Sequence, residues 1–91
     1  MSRKRDRLEI IYTILKIIQD HRNSIRPTPL LRYANVSSKS FNEYFNELLK
    51  KGFVRENMDN KDRKFISLTD KGFKYTEKYK VILGFIDEFE L

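Results

Sequence analysis

The sequence contains no cysteine, one histidine, two prolines and three glycines. Without cysteine there is no disulfide framework, no thiolate metal site and no cysteine nucleophile. That usage is compatible with a reducing compartment. His21 stands alone, so no histidine cluster is available to hold a metal. The glycines, at positions 52, 72 and 84, are too scattered to build a phosphate-binding loop. No apolar run approaches the roughly 20 residues that cross a bilayer. The basic N-terminus, Met1 to Arg7, is not followed by the uninterrupted apolar stretch of a secretory signal. The expectation from these absences is a protein that is not an enzyme, has no cofactor, has no membrane partner and is cytoplasmic.

What is present is a core and an excess of positive charge. Ninety-one residues, 40% of them hydrophobic, with five tyrosines and seven phenylalanines, suffice for one domain spanning 1–91. A core of that size is only marginally stabilising, so a second subunit would help. Lys and Arg number 19 against 13 Asp and Glu, a net charge of +6, and the pI is near 9.7. Such a balance points to a polyanionic partner.

Periodicity divides the chain into short elements. A first helix is predicted over Arg5–His21. Leu8, Ile11, Leu15 and Ile18 form one helical stripe, and Ile10, Ile14 and Ile17 form a second. One stripe can face the core; the other calls for a further helix, from this chain or from another copy. Ile25-Arg26 reads as a very short strand. Thr28 followed by Pro29 is a helix start, giving a short second helix over Pro29–Ala34. Asn35 tolerates the left-handed conformation of a tight turn. Ser37 is the next N-cap, with Val36 and Phe41 placed for a hydrophobic staple. The third helix runs from Ser38 to about Lys51, with Phe41, Phe45 and Leu48 inward and Gly52 at its C-terminal cap. Phe53–Glu56 and Lys64–Leu68 read as strands joined by a polar turn. Thr69 caps a last helix over Asp70–Phe89.

The resulting fold class is α+β, mostly α: a three-helix core with a helix-turn-helix, a β-hairpin wing and a C-terminal helix. The third helix carries the side chains of a recognition helix on its outer face. Lys39 neutralises phosphate, Asn42 and Asn46 can pair with adenine, and Glu43 can accept from cytosine. Ser38 and the free N–H groups of the helix start can hold a phosphate. The hairpin adds Lys61, Arg63 and Lys64, diluted by Glu56, Asp59 and Asp62. Arg3, Lys4, Arg5 and Arg7 lie in a predicted flexible basic arm, 1–6, and its junction with the first helix. Arg22, Arg26 and Arg32 are further candidates. The last helix places Tyr75, Tyr79, Ile82, Ile86 and Phe89 at heptad spacing. These five are the candidate dimer interface, the alternative being that the seam packs on the first helix of the same chain.

Three stretches carry a resemblance to winged-helix DNA-binding proteins. Leu68-Thr69-Asp70-Lys71-Gly72 resembles the junction from wing to final helix. Leu48-Leu49-Lys50-Lys51-Gly52-Phe53-Val54 resembles the exit of the recognition helix into the first wing strand. Leu8-Glu9-Ile10-Ile11-Tyr12-Thr13-Ile14-Leu15 and Tyr33-Ala34-Asn35-Val36-Ser37 are similar to a narrower group, the small archaeal proteins of the Sulfolobus ten-kilodalton chromatin type. The resemblance covers nearly the whole chain. It implies double-stranded DNA as partner, no catalysis, a nucleoid-associated location, and a homodimer through the last helix packed as an antiparallel coiled coil. The last helix here holds only about two heptads, fewer than a long coiled coil uses. The functional expectation is a dimeric transcription regulator or chromatin-associated protein; the alternative is a winged helix serving as a protein-interaction module in a transcription assembly.

Overall fold

The computed structural model describes residues 6–91. Along the chain it has α1 (Arg7–Asp20), α2 (Pro27–Ala34), α3 (Ser38–Lys50), β1 (Val54–Met58), β2 (Lys64–Leu68) and α4 (Asp70–Glu88). The two strands pair antiparallel, with Val54 opposite Leu68 and Met58 opposite Lys64. Ile25 adds a one-residue third strand, exchanging backbone hydrogen bonds with Ile66 on the outer edge of β2. The predicted short strand at Ile25-Arg26 is therefore present as a single bridge.

Caps set most of the boundaries. Asp6 accepts from the Glu9 N–H at 2.8 Å and starts α1. Asp6 is thus a helix cap, not part of the predicted arm, whose residues 1–5 lie outside the described residues. Ser37 accepts from the Ser40 N–H and Thr69 from the Gly72 N–H, as the sequence predicts. Asn35 sits in the left-handed region at φ 56°. At the end of α3, Gly52 has φ 78°, and the Phe53 N–H donates back to the Leu48 carbonyl at 2.9 Å. This is the Schellman arrangement that glycine permits without a Cβ penalty.

Several boundaries differ from expectation: α1 runs Arg7–Asp20 and not Arg5–His21, because Asp6 caps it, and α3 and α4 each end one residue early. The second helix begins at Pro27, and its N-cap is Arg26, which makes no side-chain capping bond. Pro27 and Pro29 have no N–H, so Thr28 holds the only donor in the first three helical positions. A capping hydroxyl has little to serve there. The first wing strand begins one residue later than predicted and extends to Met58. Phe53 is spent on the helix cap, and its carbonyl accepts from the Thr69 N–H at 3.1 Å. Asn57, read as a turn residue, donates across the strands to Ser67 Oγ at 3.0 Å.

The core draws on both stripes of α1. Ile11, Ile14, Leu15 and Ile18 are buried with Ile25, Leu30, Ala34, Phe41, Phe45, Leu48, Val54, Ile66 and Leu68. Ile10 and Ile17 pack at its margin. Leu8, placed by periodicity in the first stripe, is 53% exposed. It lies in the first turn, where the helix has not yet reached the core.

α4 leaves the hairpin at a close contact. A Cβ on Gly72 would lie 2.3 Å from the Phe53 carbonyl oxygen and 3.2 Å from Leu68 Cβ. Thr69 Oγ1 donates to the Gly52 carbonyl at 2.5 Å, and Lys71 Nζ donates to the Lys51 carbonyl at 2.8 Å. From this junction α4 runs along α1. Tyr79 stacks on Tyr12 with centroids 4.8 Å apart, and Tyr75 meets Phe53 edge-on at 5.7 Å. The Tyr75 hydroxyl donates to the Leu8 carbonyl, and burial pushes its pKa up to about 12.

The two glycines differ in what a methyl group would meet. Gly72→Ala forces overlap with backbone and is expected to cost about 2 kcal/mol or more. Gly52→Ala meets no atom within 4 Å but keeps a positive φ, and should cost about 1 kcal/mol. Urea denaturation of both variants tests the order; equal losses would contradict it.

Candidate nucleic-acid interface

α3 divides cleanly between an inner and an outer side. Phe41, Phe45 and Leu48 are buried, and Phe41 and Phe45 stack with centroids 5.6 Å apart. Ser38, Lys39, Asn42, Glu43 and Asn46 are all exposed. Lys39, Asn42 and Asn46 have no hydrogen-bond or ion-pair partner among the described residues. Their polar groups are therefore free to meet a ligand.

Between α3 and the wing runs a groove. Asn42 and Asn46 stand on one side, Glu56 and Lys64 on the other, and Pro27, Phe41, Phe45, Leu49 and Ile66 form its floor. The strand register puts Glu56 and Lys64 on this side: the pairs Val54–Leu68, Glu56–Ile66 and Met58–Lys64 share one face of the hairpin. Arg55 and Asn57 belong to the other.

The wing cations are less free than the sequence implies. Arg63 Nε donates to Asp59 Oδ2 at 3.0 Å, and Lys64 Nζ lies 3.1 Å from Glu56 Oε2. Lys61 has no ion-pair partner among the described residues. Asp59 organises the whole tip. Its Oδ1 accepts from the backbone N–H groups of Lys61 at 2.8 Å and Arg63 at 2.9 Å. Its Oδ2 also accepts from Arg26 at 2.8 Å, while a second Arg26 nitrogen donates to the Lys64 carbonyl at 3.1 Å. Arg26 foremost, then the Arg63 and Lys61 amides, hold the Asp59 carboxyl well below the usual carboxylate range. Arg26, a candidate DNA contact by sequence, is thus the tether that fixes the wing to the start of α2. The pair is 33 residues apart in sequence, and no local pattern signals it.

The remaining candidates are scattered. Arg7 pairs with Glu47 on α3, and Lys51 reaches the same carboxylate at 2.9 Å. Lys51, then Arg7, hold the Glu47 carboxyl below its ordinary value. Arg32 lies over the Tyr33 ring. Arg22 occupies the left-handed position that ends α1, with φ 59°. Arg3, Lys4 and Arg5 fall outside the described residues.

The sequence profile of the winged helix-turn-helix family matches residues 4–85. The chain belongs to that family. Among solved structures, this winged helix is similar to Sso10a-2, a DNA-binding protein from Sulfolobus solfataricus. The TM-score is 0.75 at 21% identity, covering 94% of this chain and 86% of that one. A mutant of MepR from S. aureus superposes with TM-score 0.78 at 18% identity, over 88% of this chain and 61% of that one. The PcaV transcriptional regulator from Streptomyces coelicolor gives 0.75 at 16% identity, over 88% and 60%. The winged helix here thus spans about three fifths of the last two proteins. At these identities the likeness is one of fold. No curated protein matches the chain by sequence. Among the described residues, no helix is long and apolar enough to cross a membrane.

The Asp59 hub has a pH signature. A carboxyl whose folded pKa is depressed stabilises its surroundings above the unfolded value, and that contribution is lost as pH falls through the folded value. The amide resonances of Lys61 and Arg63 are therefore expected to stay fixed from about pH 7 to about pH 4, near the ordinary carboxylate value. Asp59→Asn should shift both at neutral pH. Titration of these amides in wild type near an ordinary Asp pKa would show that the hub does not hold.

Proposed function

We propose that this winged helix binds double-stranded DNA without catalysis, as a regulator of transcription or a chromatin-associated protein. The observation that carries the reading is the outer face of α3. Lys39, Asn42 and Asn46 are exposed and unpartnered on a helix whose other side is locked into the core. Asn42 and Asn46 are one turn apart, so both can enter one major groove, where an Asn amide offers adenine a donor and an acceptor together. Ser38 at the helix start and Lys39 then hold the flanking phosphates, and Glu43 is placed to accept from a cytosine amine. Lys61 reaches the backbone from the wing. Arg63 and Lys64 do so by exchanging a carboxylate for a phosphate. The DNA-binding and regulatory roles of Sso10a-2 and PcaV support this direction. A protein-docking role would call for exposed apolar side chains on α3, and its outward positions are polar or charged.

The reading includes a homodimer through α4. Beyond Tyr79, which is 8% exposed, the helix leaves Val81 at 71%, Ile82 at 48%, Phe85 at 55% and Phe89 at 57% exposed. Tyr75 and Tyr79 of the heptad seam already pack against Phe53 and Tyr12 of their own chain. The proposed contact therefore centres on Ile82, Ile86 and Phe89, joined by Val81 and Phe85. Burying such a surface is worth about 25 cal/mol per Å² of apolar area, a useful supplement to a small core.

Fluorescence anisotropy on a preferred and a random duplex, at several salt concentrations, tests DNA binding. Asn42→Ala or Asn46→Ala should cost about 1–3 kcal/mol on the preferred site and little on random DNA. Lys39→Ala and Lys61→Ala should each lower the slope of log affinity against log salt by roughly 0.9. An absence of binding to any duplex at low salt would refute the reading. For the dimer, sedimentation equilibrium at micromolar concentration should give twice the 11.0 kDa chain mass, and Phe85→Lys with Phe89→Lys should give the monomer. A monomeric wild type would remove the dimer from the proposal.

A further inference from the structure

The wing ends in an apolar side chain that its fold does not use. Met58 is 58% exposed at the last position of β1. Val54, two pairs earlier on the same face of the hairpin, is buried, and so are its partner Leu68 and the intervening Ile66. The face thus runs from the core outwards and emerges as Met58 and its cross-strand partner Lys64. That same face lines the groove opposite Asn42 and Asn46. Met58 is therefore continuous with the surface assigned to DNA, not with the back of the wing.

Charge around it is largely cancelled. Lys64 beside it is paired with Glu56, and Arg63 with Asp59. A wing built only to grip phosphate would gain from a cation at position 58 and from unpaired neighbours. This wing instead offers a flexible, polarizable apolar side chain between salt-bridged residues. If α3 lies in a major groove, the hairpin, which lines the same groove of the protein, would lie against the duplex beside it. In a minor groove, apolar side chains, methionine among them, pack against sugars and between base steps.

We propose that Met58 is an apolar DNA contact of the wing, laid against the sugar edges of the minor groove next to the site read by α3. The proposal rests on the DNA-binding reading above. The contact depends on shape and groove width, so it adds preference without adding salt dependence. It also gives the wing a contact that its paired cations, Arg63 and Lys64, do not supply.

The experiment uses the whole chain and the preferred duplex, with anisotropy across salt and the methionine methyl resonances followed by NMR. The chain has two methionines, and the Met58→Ala spectrum assigns the methyl at 58. Met58→Ala and Met58→Gln should each weaken binding about tenfold, from the loss of roughly half a buried methionine side chain, with the salt slope unchanged. Met58→Lys should steepen that slope by roughly 0.9, because the position lies beside the duplex. The Met58 methyl should shift on saturation with DNA. Position 58 is exposed, so the variants should fold, which their circular dichroism verifies. A wild type that binds while its Met58 methyl does not move, with Met58→Ala equal to it in affinity, would overturn the Met58 contact alone. A wild type that binds no duplex would overturn the DNA reading and this contact with it.

Discussion

The architecture turns on one steric contact, the approach of Gly72 to the carbonyl of Phe53. No side chain fits there, because a Cβ would fall 2.3 Å from the oxygen. The contact lets the end of α3, the start of β1 and the start of α4 meet at a point. Thr69 and Lys71 then close the joint with bonds to the carbonyls of Gly52 and Lys51. The Lys51 carbonyl is one that the end of α3 leaves without a helical partner, and the Gly52 carbonyl follows the cap. The exit of the recognition helix is thus fixed by the entry of the final one. The run Leu68-Thr69-Asp70-Lys71-Gly72 records this position by position: a buried anchor, a cap, a carboxylate at a helix start, a cation for carbonyls, and a gap.

Much of this was legible because capping is local chemistry. Ser37, Thr69, Asn35 and Gly52 each announce a boundary through a bond or a backbone angle reached within a few residues. The start of α2 differs for a related reason: two prolines remove the donors that a cap serves, so Thr28 resembles a cap without being one. What the sequence hid is long-range. The Arg26–Asp59 and Arg7–Glu47 pairs join residues 33 and 40 apart. They turn two candidate DNA cations into structural ties. The heptad spacing of α4 marks an apolar stripe, but the pattern does not say where its intrachain contacts, made by Tyr75 and Tyr79, stop. Those contacts reach Leu8 from Tyr75 and Tyr12 from Tyr79, and of the next apolar residues of α4, Val81, Ile82 and Phe85 are exposed.

The net charge of +6 is therefore a poor map of where cations are available. On the wing, carboxylates neutralise Arg63 and Lys64, and on the outer face of α3 the exposed groups without an ion pair among the described residues include Lys39, Asn42 and Asn46. A surface of this kind adheres weakly through charge alone. It leaves a larger share of the interaction to hydrogen bonds and fit, the components that distinguish one duplex from another. Much of the exposed apolar surface lies on the distal half of α4, at Val81, Ile82, Phe85 and Phe89, and not on α3.

The tether from Arg26 through Asp59 has a thermodynamic consequence. A hairpin tip that is mobile in the free state must be ordered on association, at a cost in conformational entropy that subtracts from affinity. Here one carboxylate already holds two tip amides and two guanidinium groups. The ordering has taken place during folding. A partner meeting the wing would find the backbone of the tip, held by Arg26 and the Asp59 carboxylate, already in place, and only the side chains of Arg63 and Lys64 would have to exchange partners.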